Sequence, residues 1–389
     1  MKRLLVTNLD LLCRWSLSIL LAIPIFVSAS TSNPVELGSK SVKTRPNNFK
    51  LELEGRMMWD SDIVDGIHRG GQSGSDLELR DAQLTVVSKL NKDWKTELQF
   101  DFEGKEERLS IADANIKYTG WKDLKLTVGK TKEPFGLEKL TSSSYLTMIE
   151  ESMATEAFAP SRNLGISLSG DTSQLVWSLG LYDIDNNDTE HNLYAVTGRL
   201  TYAPWHQHGN LLHLGIAGSI RDFDGEKYKI DERAEVHLAD KIVTSAKTAA
   251  NQVNLLGLEV AGVKGPFSLQ VEYMLADINA ESSANVNYTG YYLQGSYFLT
   301  GESRSYDQGE FGKIKPRAQS GAWELTTRYS VLDTQDNDSG VKATNVTVGM
   351  NYYVNQQVRL MMNYINTKLT KAVSSDTGNA FSFRLQYDF

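Results

Sequence analysis

The side chains with chemical potential are charged groups set at every second position. Lys50, Glu52, Glu54 and Arg56 alternate with Phe49, Leu51 and Leu53. Lys95, Glu97, Gln99 and Asp101 alternate with Trp94, Leu98, Phe100 and Phe102, and Glu324, Thr326 and Arg328 with Trp323, Leu325, Thr327 and Tyr329. A period of two gathers the charges on one face of a strand, which a helix repeating every 3.6 residues cannot do. Acids and bases gathered on one wet face can pair with each other or meet water and charged solutes.

Catalytic constellations are not apparent. The six histidines are His68, His191, His206, His208, His213 and His237, and all but His213 fall in expected loops or turns. His206 and His208 share the turn Pro204 to Asn210 without the further ligands that a metal site needs. There is one cysteine, Cys13, and no Walker-type glycine loop. No Ser–His nucleophile and base are brought together by any motif. The sequence points to a protein that is not an enzyme and needs no cofactor or metal.

The elements that carry the alternating charges number sixteen, near residues 49–59, 77–90, 94–102, 111–119, 123–130, 163–170, 174–182, 193–203, 211–220, 254–262, 266–276, 289–299, 321–331, 343–353, 356–366 and 380–389. Connections after even-numbered segments are tight, such as Asn91-Lys92-Asp93 and Asp171-Thr172-Ser173. Those after odd-numbered segments are long: Asp60 to Asp76, Thr131 to Arg162 and Asp222 to Val253. An outer-membrane barrel with short periplasmic turns and long outer loops has this pattern. Thr300 to Ser320 breaks the rule, through either a misplaced strand or an elaborated periplasmic turn.

Composition leaves a large soluble β-rich protein or a membrane β-barrel. Of 389 residues, 48 are acidic and 40 basic, so the net charge of −8 argues against nucleic-acid binding. Lys2 and Arg3, the apolar run Trp15 to Val27 and the small residues Val27-Ser28-Ala29 form a secretory signal peptide cut before Ser30. The run is too short to span a bilayer. Export, period and loop lengths together favour the barrel. The expected organisation is a signal peptide over 1–29, a short periplasmic segment over 30–48 and the barrel over 49–389. The ending Phe381, Phe383, Leu385, Tyr387 and Phe389 resembles the terminal strand by which the barrel-assembly machinery recognises outer-membrane barrels.

Several stretches resemble the phosphate-selective porin (porin O/P) family. They include Asp93-Trp94-Lys95, Tyr118-Thr119-Gly120-Trp121, Phe135-Gly136-Leu137-Glu138-Lys139, Thr141-Ser142-Ser143, Leu299-Thr300-Gly301-Glu302, Gly321-Ala322-Trp323-Glu324-Leu325 and Arg384-Leu385-Gln386-Tyr387, in order along almost the whole exported chain. The resemblance implies an all-β, 16-stranded antiparallel transmembrane barrel with an inward-folded third loop. It also implies a homotrimer in the outer membrane of a Gram-negative bacterium, passing phosphate, pyrophosphate or polyphosphate. By the same resemblance, Lys139, Ser142 and Ser143 match the family's loop cluster, and Arg56, Lys95, Arg80 and Lys130 match its basic series.

The match is incomplete. Asp81 replaces the second arginine of a pair, Ser144 replaces a lysine, and Ala112 with Asp113 stands where an acidic residue flanks the central lysine. Glu52, Glu54, Glu97 and Asp101 share the lumenal face with the bases. A non-selective or sugar-preferring porin on the same barrel is the alternative, with Tyr145 and Tyr292 as candidates for an aromatic track. A third possibility is an adhesive barrel presenting the charged loop Asp222 to Val253 to a partner.

Overall fold

A computed structural model describes residues 49–103, 108–184, 193–207, 209–281 and 284–389. The signal peptide and the 30–48 segment lie outside the described residues, as do His191 and His208.

Sixteen long strands form one barrel among the described residues: β1 (Lys50–Asp65), β2 (Gly74–Lys89), β3 (Trp94–Glu103), β4 (Arg108–Trp121), β5 (Leu124–Lys132), β6 (Arg162–Asp171), β7 (Leu175–Asp183), β8 (Tyr194–Gln207), β9 (Asn210–Asp222), β10 (Thr248–Lys264), β11 (Phe267–Ala280), β12 (Val286–Phe298), β13 (Ala322–Asp333), β14 (Lys342–Tyr353), β15 (Val358–Thr370) and β16 (Ser375–Asp388). Every expected segment is a strand. Each pairs antiparallel with the next, and β16 returns to β1 in the register Arg56↔Asp388 to Asp65↔Asn379. Closure satisfies the backbone groups that an open sheet edge would leave unpaired in hydrocarbon. No helix among the described residues is long and apolar enough to cross a membrane.

Phe389 completes the seam. Its backbone N–H donates to Gly55 O and its carbonyl accepts from Gly55 N, both at 2.9 Å. Its ring lies over Gly55 so closely that a Cβ there would sit 2.2 Å from Phe389 Cζ.

One register shift matters for the lumen. Between Met58 and Trp59, β1 advances one residue while β2 advances from Asp81 to Leu79, leaving Arg80 unpaired in a bulge. The bulge turns both Arg80 and Asp81 inward, which strict alternation forbids.

Among the described residues, three connections enter the barrel. L3 (133–161) carries two short helices, α1 (Leu137–Leu140) and α2 (Met153–Phe158). Phe135, Met153 and Phe158 pack with Ala217, Leu255, Met274, Ala276 and Tyr288 of the wall. Glycines make room for this loop: a Cβ at Gly257 would lie 3.0 Å from the Phe135 ring, and one at Gly290 would lie 2.8 Å from Ala154 Cβ. The fifth loop (223–247) buries Ile230, Ala234, Val236, Leu238 and Val243. The Thr300 to Ser320 connection is an elaborated turn with a hairpin, Ser305–Asp307 paired with Glu310–Gly312, whose Phe311 packs on Leu137 of L3 and Ala203, Leu211, Ala261 and Val263 of the wall.

Candidate functional site at the L3 crossing

L3 leaves the wall between β5 and β6 and is fastened on the far side by buried arginines. Arg384 of β16 holds Asp60 at 2.6 and 2.7 Å, Glu150 at 2.6 Å and the Ile149 carbonyl. Arg359 of β15 donates to Leu146 O at 2.7 Å. Arg328 of β13 reaches Glu138 at 3.1 Å, Glu150 O at 3.0 Å and Glu235 of the fifth loop at 2.6 Å. The loop backbone has left the hydrogen-bonded wall, and these guanidiniums supply donors for several of its carbonyls.

Carboxylates serve the opposite need. Glu272 of β11 accepts the first amides of α1, from Leu137 at 2.8 Å and Glu138 at 2.7 Å. Glu138 in turn accepts Ser152 N at 2.8 Å and Thr155 Oγ1 at 2.6 Å, while Ser152 Oγ caps α2 through Thr155 N. These contacts fix α1 and therefore the path of Lys139.

Below L3, toward the short-turn end, lies a cavity of about 770 Å³ whose lining includes Lys139, Ser142 and Ser143 of the loop, Lys95, Arg56, Lys117, Lys125, Lys132 and Arg162 of the wall, and Glu310 of the inserted hairpin. Lys139 Nζ donates to Glu151 at 2.7 Å and Glu156 at 3.3 Å. Most wall cations are paired: Arg56 with Asp81 at 2.5 Å, and Lys117 with Glu97, Lys125 with Asp171 and Arg162 with Asp113, each at 2.7 Å. Two make no direct ion pair among the described residues. Lys95 makes no ion pair, and Lys132 donates to the Lys139 carbonyl at 2.5 Å. The Ser142 and Ser143 hydroxyls have no protein acceptor among the described residues.

The loop carboxylates have unequal affinities for protons. Burial disfavours the charge on Lys139, but Glu151 and Glu156 outweigh it and hold the lysine above its usual range. Burial would raise Glu151, yet Lys139 holds it below the usual carboxylate range. Glu156 takes the other course: burial and the neighbouring Glu151 charge push it up to about 7, against the pull of Lys139. Above neutrality, one ammonium therefore faces two carboxylates.

The sequence-derived residues divide sharply. Lys139, Ser142, Ser143, Lys95 and Arg56 surround one cavity. Arg80 clamps Glu150 through two contacts of 3.1 Å and acts as a loop anchor. Lys130 is a correction. It pairs with Leu164, which is 58% exposed on the outward face, donates to Ile111 O at 3.0 Å and is absent from the cavity lining. Its parity with Leu124, Leu126 and Val128 already carried that information. Tyr292 is also corrected: it is fully buried and bonded to Gln270 and Glu272, so no sugar can slide along it. The fifth loop is likewise fastened inside the barrel, through Glu235 to Arg328 and through Leu238 N to Asp62 at 3.1 Å, and does not present its buried residues to an outside partner. Sequence reasoning missed Lys132 and Arg162 because they sit at strand ends, where alternation gives way to the turn into L3.

Comparison with known proteins decides the family. The sequence profile described as phosphate-selective porin O and P matches residues 51–389. The chain belongs to that family. This porin is 29% identical to Porin O of Pseudomonas aeruginosa, over 90% of its own length and 91% of the relative's. It is 28% identical to an uncharacterized protein of Caulobacter vibrioides, over 80% and 66% of the two chains. Among solved structures, the barrel is shared with the anion-selective porin from Comamonas acidovorans, with a TM-score of 0.59 at 13% identity over 88% of this chain and all of that one. The channel DcaP of Acinetobacter baumannii gives a TM-score of 0.60 at 12% identity over 88% of this porin and 98% of that chain. The protein is an outer-membrane porin of a Gram-negative bacterium.

Proposed function

We propose that this porin admits small inorganic anions, phosphate and short polyphosphates such as pyrophosphate, through the space beneath L3. One observation carries the reading: Lys95, which makes no ion pair among the described residues, shares a cavity with Lys132, Lys139 and the unengaged hydroxyls of Ser142 and Ser143. A partly dehydrated phosphate there would exchange water for ammonium and hydroxyl donors. Neighbouring carboxylates keep binding shallow enough for release. The family's phosphate-selective character and the barrel shared with an anion-selective porin support the same direction. We further propose that three copies associate in the outer-membrane lipid, and that Phe389 with the alternating strand before it is what the barrel-assembly machinery engages.

Planar-bilayer recording tests the solute. Chloride current should reverse on the anion-selective side and be blocked by added phosphate and more strongly by pyrophosphate. A potassium preference would overturn the anion reading, and block by maltose-type sugars without block by phosphate would replace it with the sugar-porin alternative.

A further inference from the structure

The outer wall has a furrow of about 760 Å³ at the short-turn end of β8 to β11. Its floor is Gly262, which faces outward between Leu212 of β9 and Leu269 of β11, its register partners on either side. Without a side chain at that position the row of leucines is interrupted, and a channel runs along the wall. Trp205 and Phe267 flank it, 67% and 61% exposed. A register shift between Tyr202 and Trp205 in β8 swings the tryptophan out of the regular pleat.

One end of the furrow is polar. Lys264 lies one outward position beyond Gly262, opposite Asn210 and Phe267. Its ammonium has no ion pair or hydrogen bond among the described residues, and it lines the furrow together with Asn210 and Gln207. Short turns mark the periplasmic end of an outer-membrane barrel, so the furrow opens into the leaflet built of glycerophospholipids. An apolar trough closed by a lone cation and two amides matches such a molecule end to end. Aromatic girdles flank the apolar band of such barrels, and Trp205 and Phe267 stand at its short-turn end.

We infer that the Gly262 furrow is a binding site for one glycerophospholipid of the periplasmic leaflet, an acyl chain lying on Gly262 and the headgroup phosphate on Lys264. Charge complementarity at Lys264 selects this occupant over a second protein chain, which would have to bury an unpaired ammonium. The inference does not depend on which solute crosses the lumen.

The test uses the full exported chain, purified in a maltoside detergent and titrated with phosphatidylglycerol, with bound lipid counted by native mass spectrometry. The wild type should retain one lipid per barrel under activation that strips the rest. Gly262→Leu should abolish that retained lipid. The nearest atom to a Cβ there, Leu211 O at 3.7 Å, leaves the barrel room to accept the change. Lys264→Gln should weaken retention about five-fold, the effect of one lysine at an anionic surface. Conductance should be unchanged in both. Equal retention in wild type and Gly262→Leu overturns the inference, and so does a fall in oligomeric mass, which would make this face a protein interface. Should Gly262→Leu fail to fold, Lys264→Gln decides alone: undiminished retention overturns the proposal.

Discussion

The ammonium of Lys139 lies 2.7 Å from Glu151 and 3.3 Å from Glu156. The cation matched to the family's binding cluster is thus shared between two acids of its own loop. Removing one acid should free it: Glu151→Gln should raise the chloride-over-potassium preference and lower the phosphate concentration needed for block. Lys139→Glu should do the reverse. Reversal potentials in a salt gradient measure both, and unchanged block in Lys139→Glu would remove that lysine from the site.

Selectivity should follow the protonation of Glu156. Though its side chain is 45% exposed, the barrel interior crowded around it and the Glu151 charge push its carboxyl up to about 7. Below that pH the Lys139, Glu151 and Glu156 trio sums to zero, and above it to −1. Anion preference should therefore rise as pH falls from 8 to 6, and the step should flatten in Glu156→Gln. The same raised pKa means that folding favours the protonated form. The stability it contributes is present below the unfolded value of 4.5 and is lost as pH rises through 7.

Lys95 and Lys130 make a matched pair of opposite expectation. Lys95 lines the cavity without an ion pair, while Lys130 sits on the outward face bonded to Ile111 O. Lys95→Gln should weaken phosphate block several-fold, and Lys130→Gln should leave it unaltered. Block titrations on the two variants separate them, and equal effects would sink the assignment of faces.

Arg328 ties L3 to the fifth loop. Arg328→Met would strand Glu138 and Glu235, both buried. Breaking a buried pair by removing one partner costs about 3–5 kcal/mol. Much of that cost falls on loop placement, because the wall keeps its own backbone bonds. We expect the barrel to survive with a lower unfolding temperature and noisier, larger single-channel currents. Quiet currents of wild-type size would show that the arginine is not needed to hold the loop.

At the seam, Gly55→Val would drive a side chain into the Phe389 ring. Assembled, heat-modifiable barrel should drop sharply on gels. Wild-type assembly in Gly55→Val would refute the steric argument.

The strands were legible because a barrel wall has one oily and one wet side, so each strand must alternate and the period of two shows on the page. Loop lengths then gave the direction of the chain, and the cluster Lys139, Ser142 and Ser143 was visible through its motif. Faces went wrong where alternation is locally broken. The bulge at Met58 and Trp59 brings Arg80 and Asp81 to the same side, and Lys132 and Arg162 turn inward at strand ends. Lys130 was misplaced for the opposite reason, since motif matching overrode a parity that was correct.

Sequence by itself determined the wall, the exported character and the family, all carried by local patterns and their order along the chain. Only the tertiary structure decided which charges are free. Arg384 meets Glu150 and Arg328 meets Glu235 across 234 and 93 residues of chain. Whether a cation faces a solute or a carboxylate depends on where three inserted segments come to rest inside the barrel, and no local pattern encodes that distance.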